Sequence, residues 1–223
     1  NEVNDLHLDC KFKPGKPLPR RLVDPIHVHG FAIILFGLTI GLIGVLMFLN
    51  GSWISFALAS AALLTGIYYN FYGKSSGILG NTALAGTYGL AVLFIASAGG
   101  VECFMRALPF AVWFAVWTWT DNLIVQWQDI EGDTAYGLKT AAVAIGKYTP
   151  NVALLLSLCL LPTILLLSLP PVTAFIFSLT ALFMMFSVIL PNPDNKQETI
   201  EVLVRKLVRS LLIVAFVLMA LGL

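Results

Sequence analysis

The chain has 223 residues, of which 58% are hydrophobic and 11% charged, and its net charge is +1. A soluble domain carries about 25% charged residues, so this chain is too poor in charge to cover a globular surface. An ordinary soluble fold is excluded on that ground, and the near-neutral balance gives no sign of a nucleic-acid partner.

The chain opens on an acidic segment. Asp5 and Asp9 are four apart, which on a helix puts both carboxylates on one face. Glu2 and Asn1 precede Asp5 by three and four residues and join that face. Carboxylates so close repel one another unless something positive sits between them. Hard oxygen ligands of this kind suit magnesium, which shares carboxylates with waters and substrate phosphates. A proline-rich element follows, Pro14-Gly15-Lys16-Pro17-Leu18-Pro19.

Seven apolar runs read as helical membrane spans, at 30–49, 53–69, 82–98, 105–125, 152–169, 172–190 and 207–223. Each is near the ~20 residues that a bilayer core requires. Turn residues separate them: Asn50-Gly51, Gly99-Gly100, Pro170-Pro171 and Pro191-Asn192-Pro193. The expected fold is an all-α, polytopic transmembrane helix bundle. Cys10, Cys103 and Cys159 stand far apart and form neither a zinc pattern nor a disulfide framework.

Tyr68 and Tyr69 end the second span, and Phe71, Tyr72, Lys74 and Asn81 lie between it and the third. The fourth span carries Asp121 and leads into a second acidic segment. There Asp129 and Asp133 repeat the four-residue spacing, and Gln126 precedes Asp129 as Glu2 precedes Asp5. Lys139 follows in the same loop. Segments 1–29, 70–81, 126–151 and 191–206 all fall on one side of the membrane. Every Lys and Arg except Arg106 lies on or next to that side, which the positive-inside rule assigns to the cytoplasm or its equivalent. The acid pairs share that side, so they sit at helix ends and not at the bilayer midplane where a transporter would bind ions. Two such pairs could bridge divalent ions to a diphosphate across one pocket.

These segments resemble the UbiA superfamily of intramembrane prenyltransferases. Asn1-Glu2-x-x-Asp5-x-x-x-Asp9 is similar to the family's N-D-x-x-D-x-x-x-D motif, and Pro14–Pro19 to its P-x-R-P-L-P element. Lys74 with Gly77-Ile78-Leu79-Gly80-Asn81 looks like the K-x-x-G-L-L-G-N loop. Asp129 to Asp133, continuing through Gly137 to Thr140, looks like D-x-x-x-D running into G-D-x-x-x-G-x-x-T. The sequence departs from the pattern at Glu2, where Asp is usual, at Gln126, where many members carry a third Asp, and at Lys16, which replaces Arg.

The resemblance implies a magnesium-dependent enzyme that moves an isoprenoid chain from a polyprenyl diphosphate to a hydrophobic or aromatic acceptor. It implies that Asp5, Asp9, Asp129 and Asp133 hold Mg2+, with Asn1 and Glu2 completing the coordination. Lys74, Lys139, Gln126 and Asn81 are then expected at the diphosphate, and Tyr68 or Tyr69 beside the carbocation, whose charge an aromatic face stabilises. It also implies one prenyltransferase domain over 1–223, with the first of nine helices and most of the second lying ahead of Asn1. A terpene cyclase of the same fold would need the same ionisation site and no acceptor.

Overall fold

In a computed structural model, the described residues are 3, 6–12, 14–50, 52–167 and 171–189. Asn1, Glu2, Asp5 and the run at 207–223 therefore lie outside them. Among the described residues the chain is helical, and its one β interaction is an isolated parallel bridge between Gly77 and Thr140. The described residues form nine α-helices: α1 (Leu6–Phe12), α2 (Pro25–Asn50), α3 (Trp53–Phe71), α4 (Gly77–Ser97), α5 (Gly100–Gln128), α6 (Ile130–Ala135), α7 (Ala141–Ile145), α8 (Thr149–Leu166) and α9 (Pro171–Ile189). The chain falls into two compact units, Asn1–Ser60 and Ala61–Leu223, with α3 continuing from one into the other.

In the first unit, Asp24 starts α2 five residues ahead of the expected span. Its Oδ1 accepts from the Ile26 N–H at 2.9 Å, and its carbonyl accepts from His27 and Val28. Pro25 suits the first helical position, because a missing N–H costs nothing there. Ile33, Ile34, Leu35 and Phe36 are consecutive and all exposed. Consecutive positions point about 100° apart, so α2 is apolar on every side and suited to lipid.

The second unit is built around α5. Phe110, Trp113, Trp117, Leu123 and Ile124 of α5 are buried with Leu160 of α8 and Phe177, Ala181 and Met184 of α9. The Trp113 and Phe177 rings meet edge to face at 4.7 Å, and Trp113 Nε1 donates to the Leu160 carbonyl at 3.2 Å. On the other flank α4 approaches α5 closely. A Cβ on Gly89 would lie 3.1 Å from the Ala111 carbonyl oxygen, so a small residue belongs there. The Thr87 hydroxyl donates to that of Thr65 at 2.9 Å and ties α4 to α3.

Five helical segments among the described residues are long and apolar enough to cross a membrane: Pro25–Val45, Trp53–Phe71, Gly77–Ser97, Gly100–Gln128 and Ala141–Ile164. The expected count of seven is thus approximate. The sixth run forms α9, whose apolar stretch Ala174–Phe186 is shorter, and the seventh lies outside the described residues. The loop expected at 126–151 is itself largely helical, holding α6 and α7.

Candidate active site

Asp129 ends α5 and begins α6. Its N–H still donates to the Val125 carbonyl at 3.2 Å, but its φ of −92° and ψ of 4° leave the helical range. The next turn resumes at once, because the Asp133 N–H donates to the Asp129 carbonyl at 2.9 Å. The two half-buried carboxylates therefore leave the end of α5 one turn apart, as the four-residue spacing predicts. The chain then reverses. Gly137 has φ +68°, a value that favours glycine, and the Leu138 N–H donates back to the Asp133 carbonyl at 2.9 Å. This reversal delivers Lys139, which is exposed.

A second loop meets this one. Lys74 sits in a 3-10 turn, Gly73–Ser75, between α3 and α4. Two glycines fold that turn against the start of α4: a Cβ on Gly80 would lie 1.6 Å from the Gly73 carbonyl oxygen. Gly77, at φ +60°, donates its N–H to the Lys139 carbonyl at 2.5 Å. The loops of Lys74 and Lys139 are thereby joined at the same end of the unit as Asp129 and Asp133. Tyr69 is half-buried, with its ring against Gly73. Half-buried Tyr68 lies 6.4 Å from the ring of Tyr72. Asp121, also half-buried, is two turns up α5 from Asp129.

Two of the expected substrate contacts, Asn81 and Gln126, point into the bundle. Asn81 is 1% exposed; its Nδ2 donates to the Trp119 carbonyl at 3.0 Å, and its Oδ1 accepts from Asn122 Nδ2 at 2.5 Å. Gln126 is buried, and its Oε1 accepts from the Ala142 N–H at 3.3 Å. Thr140 caps α7 by accepting from the Val143 N–H at 3.5 Å. Asn122 escaped the sequence reading; its place four residues before Gln126, on the same helix face, was the available signal.

In the first unit, Asp9 is 6% exposed near the end of α1, and Lys16 Nζ donates to its Oδ2 at 2.8 Å. Lys16 was read from sequence only as a departure from Arg. Its place seven residues after Asp9, in the proline-rich element, was the available signal.

The donor set fits magnesium. Among the described residues no cluster of three or more His, Cys, Asp or Glu forms a protein cage. Mg2+ does not ask for one: it is usually held by one or two carboxylates and completed by waters and substrate phosphates. Asp129 and Asp133, a turn apart at a helix end, provide such a pair.

The sequence matches the model of the UbiA prenyltransferase family over residues 1–207. Digeranylgeranylglyceryl phosphate synthase of Methanopyrus kandleri is 29% identical over 151 residues, covering 66% of this chain and 52% of the relative. The enzyme of the same name from Sulfurisphaera tokodaii is 28% identical over 66% of this chain and 51% of its own length. That of Korarchaeum cryptofilum is 29% identical over 202 residues, 86% of this chain and 65% of the relative. In the first two alignments the chain spans about half of the relative's length. No solved structure gives a significant match.

Proposed function

Because this chain belongs to the UbiA prenyltransferase family, we propose that it transfers an isoprenoid chain from a polyprenyl diphosphate to a lipophilic or aromatic acceptor, with Mg2+ held by its aspartates. The observation that carries this reading is the backbone bond from Gly77 to Lys139, which joins the Lys74 loop to the loop that follows Asp129 and Asp133. Two lysines and two carboxylates at one helix-bundle end form a site for a metal-bound diphosphate.

Asp129 and Asp133 of the second unit would hold Mg2+, as would Asp5 and Asp9 of the first, with Asn1 and Glu2 as further oxygen donors. Bound Mg2+ neutralises the charge that grows on the diphosphate as its C–O bond breaks. Lys74 and Lys139 would hold diphosphate oxygens as point charges on flexible stems. The bond that breaks leaves an allylic cation at the carbon end, and the acceptor's nucleophilic atom closes the new bond and loses its proton. Water would compete for that cation, so the apolar bundle under the site has to keep it dry. The faces of Tyr68 and Tyr69 are the aromatic groups we assign to the cation.

The relatives' shared name supports a geranylgeranyl donor and a glyceryl phosphate acceptor as the first pair to assay. The lysine and arginine bias supports a cytoplasmic location for the site loops. The test uses the full-length protein in lipid nanodiscs with Mg2+ and geranylgeranyl, farnesyl or geranyl diphosphate. Each donor is offered with glyceryl phosphate lipids, with aromatic acceptors or with none, and products are read by mass spectrometry. A prenylated acceptor is expected. A cyclic product formed without acceptor would replace transfer by cyclisation.

A further inference from the structure

Three polar residues share one face of α5 near its end. Asn122 and Gln126 are four apart, and Asp129 is three further on, so all three lie on one side of the helix. The first two bind different segments of the site. Asn122 donates to Asn81, whose own amide donates to the Trp119 carbonyl, so the start of α4 is fastened to α5 seven residues after Lys74. Gln126 accepts from Ala142, so the start of α7 is fastened to α5 three residues after Lys139. Gly77 and Lys139 close the figure by joining the two lysine loops to each other.

We propose that Asn81, Asn122 and Gln126 form a positioning frame that sets Lys74 and Lys139 against Asp129, with Gln126 acting through the Ala142 backbone and not as a ligand. The proposal rests on the reading of these lysines and aspartates as the diphosphate site. Its chemistry favours amides. A buried carboxylate at 126 would add a third negative charge beside Asp129 and Asp133, whereas an amide provides the acceptor without the charge. A satisfied buried network also stiffens its surroundings, and a charged site needs its groups held by such a supporting layer. Gln126 is therefore a positioning residue, an uncharged acceptor that fastens α7 to the end of α5.

The test is hydrogen exchange by mass spectrometry on the full-length protein in nanodiscs, with Gln126→Met, Gln126→Glu and Asn122→Leu. Gln126→Met removes the acceptor, and exchange across 139–145 should rise about tenfold. Gln126→Glu keeps an acceptor oxygen and should retain most of the protection. Asn122→Leu should speed exchange across 77–82 and gives an independent check if Gln126→Met does not fold. In steady-state kinetics with geranylgeranyl diphosphate, Gln126→Met should raise KM for the donor about tenfold while the half-saturating Mg2+ stays within about twofold. Unchanged exchange at 139–145 in Gln126→Met would overturn the frame. So would a large shift in half-saturating Mg2+ with exchange unaltered. The exchange readout needs no turnover, so faster exchange in a protein inactive on every diphosphate would uphold the frame and sink the prenyltransferase reading.

Discussion

Asp129 and Asp133 gain their importance from where they stand. In a chain with 11% charged residues, a pair of acids one turn apart at a helix end is conspicuous, and its four-residue spacing survives the break between α5 and α6. Removing one charge-stabilising group from a site of this kind lowers kcat by about 10²–10³, and we expect a loss of that order for Asp133→Asn, measured as diphosphate release. Asp9 is a second case. Its near-complete burial beside Lys16 means that Lys16→Met strands a buried carboxylate. The expected cost is about 1–2 kcal/mol, read as a lower melting temperature, and is less than for a fully buried pair because Lys16 is partly exposed. The acids and lysines were legible in the sequence because polar residues are rare in it. The direction of a side chain was not. The family resemblance implied Asn81 and Gln126 as substrate contacts, and only their hydrogen bonds to Trp119 and Ala142 show them turned inward.

At the scale of elements, the long apolar helices were legible because their length is set by the bilayer, and their ends were less so. α2 begins at Pro25 because Asp24 caps it, a local signal that an apolar run does not contain. α6 and α7 have 6 and 5 residues, too few to show a 3.6-residue period. Their existence depends on caps and reversals: Asp129, Gly137, Thr140. Thr140 is fully buried and accepts from Val143, so Thr140→Ala should cost about 1 kcal/mol. The measurement is thermal denaturation in detergent, together with faster proteolysis at the exposed Lys139. Gly80 makes a stronger demand. With the Gly73 carbonyl oxygen 1.6 Å from where a Cβ would stand, Gly80→Ala must push backbone apart. We expect a loss of at least about 1–3 kcal/mol and a displaced Lys74 loop, seen as reduced folded yield and a raised KM for the donor.

For the whole molecule, composition alone established burial in a membrane, and the family match over residues 1–207 agrees with it. In the second unit apolar contacts hold α5, α8 and α9 along their lengths, with single polar links such as Trp113 to Leu160 and Thr87 to Thr65, while the polar contacts of Asn81, Asn122, Gln126 and Lys139 gather at one end, where the loops of Lys74 and Lys139 meet α5. On the proposed reading, burial supplies the scaffold and the few polar residues supply the chemistry. The most direct test of that division is Mg2+-dependent diphosphate release from geranylgeranyl diphosphate by the full-length protein in nanodiscs, with Asp129→Asn beside the unaltered protein. The account predicts release that requires Mg2+ and falls by about 10²–10³ in the variant, while both proteins give the same melting curve. Release that is indifferent to Mg2+ and to Asp129, or no release from a folded protein supplied with donor and acceptor, would contradict it.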